Sequence, residues 1–79
     1  MVSPQLLRER ESVAEGAFQM EARGIEQLRC ADPWVSDGDR RLRRTLWVGR
    51  PGEVNDILVF EVEFEEASAT ISRRTLAPV

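Results

Sequence analysis

The sequence predicts an α+β domain in which one long N-terminal amphipathic helix packs on a three-stranded antiparallel sheet, in the order αβββ. Two observations lead to this fold class. The N-terminal third repeats apolar residues at helical spacing, and the C-terminal half alternates apolar with polar residues between short connections. A chain of 79 residues is expected to form a single domain over residues 1–79. Because small domains bury a small share of their surface, a second copy or a protein partner is favoured from the start.

The helix is expected to begin at Ser3, which can cap free backbone N–H groups, with Pro4 in the first turn. It is expected to continue to about residue 30, since Pro33 disfavours helical geometry at Asp32. The apolar residues in between fall on one face about 160° wide. They occupy positions 6, 7, 13, 14, 17, 18, 20, 25 and 28. Gly16 costs about 1 kcal/mol relative to alanine, and a helix of about 40 Å is longer than an eight-residue strand of about 26 Å. The helix is therefore expected either to overhang the sheet or to bend at Gly16, and a frayed or bent first third is favoured.

The segment ADPWVSDGD at 31–39 is rich in aspartate, glycine, serine and proline and is predicted to be a loop. Three strands are predicted after it, over residues 41–49, 57–66 and 70–76. The connections RPGEVND and EASA are short, so neighbouring strands are expected to pair antiparallel. The strand order and the register of the third strand are left open by the sequence.

The middle strand alternates phenylalanine and valine with glutamate in the stretch ILVFEVEFEE. Successive strand side chains point to opposite faces, so one set is expected to contact the helix. That set is Leu58, Phe60, Val62 and Phe64, joined by Leu42, Leu46 and Val48 of the first strand. The carboxylates then lie on the outer face, meaning the sheet face turned away from the helix; they are Glu61, Glu63 and Glu65. Arginines of the flanking strands are expected beside them as cross-strand ion pairs: Arg41, Arg43 and one of Arg73 and Arg74.

Large apolar residues are expected beside these charges on the outer face, namely Trp47, Ile57 and Val59. Aromatic residues and arginine are enriched in protein interfaces, so this surface is predicted to be one. The loop residue Trp34 either takes part in it or folds over the apolar patch and covers it. The predicted interface residues are Trp34, Arg41, Arg43, Trp47, Val59, Glu61 and Glu63.

The alternative is a nucleic-acid-binding protein, which the stretch DRRLRR at 39–44 suggests. Its contacts would be Arg40, Arg41, Arg43, Arg44 and Arg73. Against this, the chain has a net charge of −3, and residues 53–66 contain six acidic residues and no basic one. The phenylalanines are expected on the core face, where they cannot stack on bases.

The composition disfavours enzymatic chemistry. The chain contains no histidine, which excludes Ser-His-Asp and Cys-His nucleophile systems and Cys/His zinc sites. The aspartates at positions 32, 37 and 39 lack the spacing and the twelfth-position glutamate of a calcium loop. We therefore expect no metal, no cofactor and no enzyme. Cys30 allows no internal disulfide and is expected to be a small half-buried core residue.

The resulting hypothesis is a non-enzymatic protein-interaction module that acts as a homodimer or binds another protein. Small bacterial or phage accessory and inhibitor proteins are of this kind. The single Cys30 and the lack of a long apolar segment predict a cytoplasmic protein that does not bind membranes. The αβββ order occurs in unrelated folds with unrelated functions, so it indicates neither the biological role nor the partner.

Overall fold

The structure, a computed structural model, describes residues 3–50, 52–53, 56–66 and 68–76. It has one N-terminal helix and one antiparallel sheet, which confirms the predicted α+β class. The predicted number of three strands was wrong, because the sheet has five. The elements are α1 (Pro4–Ala22), β1 (Leu28–Ala31), β2 (Val35–Ser36), β3 (Arg41–Val48), β4 (Asp56–Phe64) and β5 (Ala69–Leu76). The three strands predicted from the sequence correspond to β3, β4 and β5.

The helix begins where the sequence predicts. The Ser3 hydroxyl oxygen accepts a hydrogen bond from the backbone N–H of Leu6 at 3.2 Å, and Pro4 occupies the first turn. The helix then continues from Pro4 through Gly16 without interruption, so the expected fraying of its first third was wrong. A Cβ added at Gly16 would meet no atom within 4 Å. This glycine therefore weakens the helix locally, but nothing packs against it that would require a kink.

The helix ends at Ala22, so the predicted extension to about residue 30 was wrong. Ile25 and Leu28 continue the helical spacing in the sequence, yet they pack half-buried against the core from the following turn and from β1. The chain reverses through Gln27, whose φ is 60°. Two apolar residues three positions apart, such as Ile25 and Leu28, can thus both contact the core from a turn and a strand as well as from a helix. The free edge of β3 then supplies backbone hydrogen-bond partners to β1.

The strands β1 and β2 pair with the same edge of β3. β1 lies opposite residues 46–48 and β2 opposite residues 42–43. Pro33, which lies between β1 and β2, lacks a backbone N–H. Within β1 the register relative to β3 shifts between Leu28 and Cys30. The segment 31–39, predicted to be a loop, therefore contains β2. Pro33, which was expected to end the helix, instead lies between two strands. Pieces of four and two residues are too short to show a recognisable period in the sequence.

The core lies between α1 and one face of the sheet. Its buried residues are Ala14, Phe18, Leu42, Leu46, Phe60, Val62 and Phe64. The sheet residues of this set are those that the alternation pattern predicts. Phe60 and Val62 are 0% exposed, and burying side chains of this size contributes about 1.5–3 kcal/mol each. α1 therefore packs over β4, the strand that supplies three of these residues.

The sheet order β1-β3-β4-β5 makes β5 an edge strand. It pairs with β4 along its whole length, and every one of its residues is exposed. Val59 lies opposite Arg74, and Phe60 lies opposite Arg73. Because residues directly opposite share a face, this register turns Arg74 to the outer face and Arg73 to the helix side. The sequence had left that choice open.

Candidate functional site

The outer face of the sheet carries a lattice of charges, as the alternation predicts. The Arg41 guanidinium lies 3.2 Å from the Glu63 carboxylate and 3.6 Å from that of Glu61. Arg74 lies 3.1 Å from the other oxygen of Glu61, whose side chain is only 13% exposed. Arg43 lies opposite Glu61 on the same face. Exposed ion pairs contribute at most about 1 kcal/mol each, so the main effect of the lattice is to neutralise this surface.

The apolar residues in the middle of the outer face are largely covered by their neighbours. Val59 is 3% exposed although it points away from α1, and in its row it lies between Thr45 and Arg74. Trp47 is half-buried, and its indole N–H donates a hydrogen bond to the Asp32 carboxylate at 3.2 Å. The structure thus brings together six of the seven predicted interface residues on one face. It leaves little exposed apolar area among them.

Trp34, the seventh predicted interface residue, lies on the opposite side of the sheet. Its ring packs edge-on against Phe18 of α1, with centroids 6.2 Å apart, and against Phe60 of β4, with centroids 6.0 Å apart. Its indole N–H donates a hydrogen bond to Glu15 at 2.8 Å. The expectation that Trp34 joins or covers the outer patch was therefore wrong. Trp34 instead closes the helix-side core from the loop after β1.

Arg44 packs with Trp34, Phe18 and Glu15 in one cluster on the helix side of the sheet. The sequence predicted Arg44 only as a possible nucleic-acid contact and not as a residue facing the core. Its guanidinium lies 4.6 Å from the ring centroid of Phe18 and 5.0 Å from that of Trp34. It donates hydrogen bonds to the Glu15 carboxylate at 3.0 Å and to the Asp32 carbonyl at 2.7 Å. One signal could have revealed it: Arg44 stands between two core leucines on an alternating strand. A charge in such a position requires partners on the core side.

Glu15 is the acceptor on which this cluster converges. The indole N–H of Trp34, the side-chain amide of Gln19 and the guanidinium of Arg44 together hold the pKa of the Glu15 carboxyl below its ordinary value. The hydrogen bond from Trp34 is the largest of these effects, because donors to the charged form favour it. The cluster ties α1, the loop and β3 together. Its charges are satisfied internally, which indicates a structural role.

The arginines of the predicted nucleic-acid set do not form one basic surface. Arg41 and Arg43 lie on the outer face, whereas Arg44 and Arg73 lie on the helix side. Arg40 precedes β3 in the turn. Arg41, Arg44 and Arg73 each lie within 4 Å of a carboxylate, Arg73 at 3.9 Å from a glutamate of α1. A phosphate backbone would have to compete with these carboxylates for the guanidinium groups.

Most exposed apolar side chains lie on a different surface, along one flank of α1. Leu6, Val13 and Met20 recur at every seventh position there and are 39%, 54% and 75% exposed. Ile71, on the helix side of β5, is 44% exposed, since α1 packs over β4 and leaves β5 uncovered. We call the surface formed by Leu6, Val13, Met20, Phe64 and Ile71 the α1–β5 groove. The seven-residue spacing of Leu6, Val13 and Met20 is visible in the sequence. By itself, however, that spacing predicts that these residues are buried against the sheet and not that they are exposed.

A contact of α1 with β5 places this flank on the β5 side of the helix: Glu21, on the same side of the buried helix face as Val13, lies 3.9 Å from Arg73 of β5. Glu15, which contacts β3, lies on the opposite side of the buried helix face at about 100° per residue. At the other end of the helix Leu6 and Val13 line a cavity of about 320 Å³ together with Phe64. Charged residues surround this apolar floor: Glu9, Arg10, Arg40, Glu65 and Glu66. An apolar centre with a polar rim is typical of protein contact surfaces.

The metal-ligating side chains and the cysteine were also located in the structure. Within the ranges that the structure describes, no three His, Cys, Asp or Glu side chains are grouped to hold a metal ion. Cys30 was expected to be half-buried in the core, but it is exposed on β1 opposite Trp47. The β1 register turns its side chain to the outer face, which the helical prediction for this segment could not show. No helix among the described residues combines the length and apolar character needed to cross a membrane.

Comparisons with known proteins were made for the whole chain. The chain matches no protein-family model, no curated protein and no solved structure.

Proposed function

We propose that this protein is a non-enzymatic protein-interaction module that acts as a homodimer, and that the α1–β5 groove is the surface through which it self-associates. The placement of the exposed apolar residues carries the proposal. Six large hydrophobic residues are exposed in the described part of the chain, and four of them lie in the groove. The other two, Val35 and Leu76, lie on the outer face.

The groove side chains supply a useful but limited driving force. Burying the exposed half of a Val, Leu, Ile or Met side chain contributes about 1 kcal/mol. Four such residues in each of two copies contribute about 8 kcal/mol before the cost of association, which is about 4–15 kcal/mol. The difference is at best about 4 kcal/mol in favour of the dimer, which corresponds to a Kd of about 1 mM. A micromolar dimer, at about −8 kcal/mol, therefore needs a further contribution.

The outer face is less suited to be the main contact. Four of its charged residues, Arg41, Arg74, Glu61 and Glu63, are already paired within the chain, and Trp47 and Val59 are mostly covered. Desolvating a satisfied ion-pair lattice gains little. Contact through the outer-face residues stays a prediction that the experiment below tests alongside the groove.

A cytoplasmic setting fits this proposal. Cys30 is an exposed free thiol, and free thiols persist in a reducing compartment. A small bacterial or phage accessory protein, whose task is to bind rather than to catalyse, is the biological class that we propose.

The test compares two valine substitutions by light scattering coupled to size exclusion and by sedimentation velocity. Val13→Lys places a charge in the groove, and lysine is a good helix former, so α1 is expected to remain folded. Val35→Lys is the matched control, since Val35 is 48% exposed against 54% for Val13 and lies on the outer face. Circular dichroism checks that both variants are folded.

We expect wild type to approach twice the chain mass of 9.0 kDa at high concentration. Val13→Lys should raise the Kd of the dimer by more than about tenfold, which is a loss of 1.4 kcal/mol, and Val35→Lys should leave it unchanged. A dimer that is disrupted by Val35→Lys but not by Val13→Lys would move the contact to the outer face. A wild-type protein that stays monomeric would refute the homodimer.

A further inference from the structure

The two edges of the sheet are built differently. On one side the edge consists of β1 and β2, which are short, separated by Pro33 and shifted in register after Leu28. Natural proteins use such interruptions to prevent unwanted strand pairing. On the other side β5 runs for eight residues without proline, with no strand beyond it in the described sheet. β5 therefore presents a continuous row of unpaired backbone N–H and C=O groups.

We propose that β5 of one copy pairs antiparallel with β5 of a second copy, with Ser72 on the two-fold axis, to form one continuous ten-stranded sheet. This inference rests on the proposed homodimer and specifies its geometry. Backbone hydrogen bonds along β5 supply the contribution that the apolar groove lacks. Antiparallel pairing of two identical strands requires a two-fold axis perpendicular to the sheet, and this axis places both helices on the same side and closes the dimer.

The register follows from symmetry and charge. Residues directly opposite each other in an antiparallel pair point to the same face of the sheet. The two-fold axis must therefore pass between two copies of the same residue, because pairing a residue with its chain neighbour would join side chains of opposite faces. Only axes at Ser72 or at Arg73 allow nearly the whole strand to pair. An axis at Arg73 would place two arginines directly opposite each other, which is unfavourable. An axis at Ser72 instead places Ile71 opposite Arg73 of the second copy, and Thr70 opposite Arg74 of the second copy.

The charges on β5 do not oppose this pairing. Arg73 lies 3.9 Å from Glu21, and Arg74 lies 3.1 Å from Glu61, so both positive charges are compensated within each copy. On the outer face Thr70 pairs with Glu63 of its own chain. Arg74 would therefore lie two strand spacings, about 9.6 Å, from Glu63 of the second copy. An arginine and a glutamate side chain together span that distance, which gives the two copies complementary charge across the seam.

The helices fit the same arrangement. Because α1 packs over β4, the two helices would be separated by three strand spacings, about 14 Å. An α-helix with its side chains is about 10–12 Å wide, so their facing flanks come within a few ångströms of each other. The protruding Val13 and Met20 side chains of both copies fill that gap above the two Ile71 side chains, which are diagonal neighbours across the seam. A second copy thus covers Val13, Met20 and Ile71 together.

Cysteine cross-linking tests the register, on a Cys30→Ser background that removes the native thiol. Ser72→Cys places two thiols opposite each other on the axis, with Cβ atoms about 4.5–5.5 Å apart, close to the separation that a disulfide needs. Thr70→Cys is the matched control, since it lies on the same strand and the same face. Its counterpart in the second copy would be about 13 Å away. Both variants are oxidised under mild conditions and compared by non-reducing electrophoresis, with the native mass measured in parallel.

We expect most of the Ser72→Cys protein to become a disulfide dimer and the Thr70→Cys protein to stay largely unlinked. A native dimer in which Thr70→Cys cross-links as well as Ser72→Cys, or in which neither does, would overturn this register while leaving the homodimer intact. A wild-type mass that stays monomeric up to about 500 µM, far above a micromolar Kd, would overturn both proposals. The β5 edge would then be open to a strand from a different protein.

Discussion

Replacing Arg44 with methionine tests whether the cluster of Arg44, Glu15, Trp34 and Phe18 holds the helix and the loop on the sheet. Methionine keeps an apolar stem of similar length in the same place but removes the charge and every hydrogen-bond donor. The indole N–H of Trp34 keeps its acceptor on Glu15. The substitution therefore isolates the contribution of the guanidinium group.

The magnitude follows from the contacts. Two aromatic rings at 4.6 and 5.0 Å contribute about 1 kcal/mol each as cation–π partners. The hydrogen bond to the Asp32 carbonyl at 2.7 Å adds about 1 kcal/mol. The ion pair with Glu15 adds less than about 1 kcal/mol, because the Glu15 side chain is 41% exposed. Methionine regains about 0.5 kcal/mol through sulfur–aromatic contacts, so the expected loss is about 2.5–3.5 kcal/mol.

That loss is a large share of the stability of a domain of this size, which is about 4–12 kcal/mol. It should lower the Tm by roughly 10–20 °C, measured by circular dichroism at one fixed protein concentration, with urea unfolding as a second readout. Arg43→Met, the neighbouring exposed position on the outer face, is the control and should change stability by less than about 0.5 kcal/mol. Equal losses for the two variants would refute the structural role assigned to Arg44.

Two further predictions concern single positions on α1. The lowered pKa of Glu15 means that its contribution to stability is present above the unfolded value of 4.5 and is lost as the pH falls through the folded value. Glu15→Gln should thus be less stable than wild type at neutral pH, by under about 1 kcal/mol, and the difference in urea midpoint should shrink at acidic pH. Gly16→Ala should stabilise the protein by about 1 kcal/mol, whereas Gly38→Ala, at φ +89°, should destabilise it; the opposite order of Tm values would contradict this.

Local patterns predicted those parts of the fold that depend on neighbouring residues. The capped start of α1 at Ser3 and Pro4 was predicted because the cap is made within one turn. The faces of β3 and β4 were predicted because a two-residue period decides which side chains share a face. The charge-paired outer face followed from the same period.

Features set by distant partners were missed. The spacing of apolar residues in β1 predicts a helix, and only the free edge of β3 decides that this segment pairs as a strand. Trp34 was expected near the outer face because loop position does not determine which side of a sheet a side chain reaches. Its place is set by Glu15, nineteen residues earlier in the chain, and by the ring of Phe60.

For the α1–β5 groove, too, some features follow from the local sequence and others only from the tertiary structure. The amino-acid sequence by itself determined that α1 carries apolar residues at seven-residue spacing and that the residues of the middle strand alternate between two faces. Only the tertiary structure decided that α1 packs over β4, which buries Ala14 and Phe18 and leaves Leu6, Val13 and Met20 exposed. The physical reason is geometric: one helix about 10–12 Å wide covers roughly two strands spaced about 4.8 Å apart, and a sheet with four strands side by side extends beyond it.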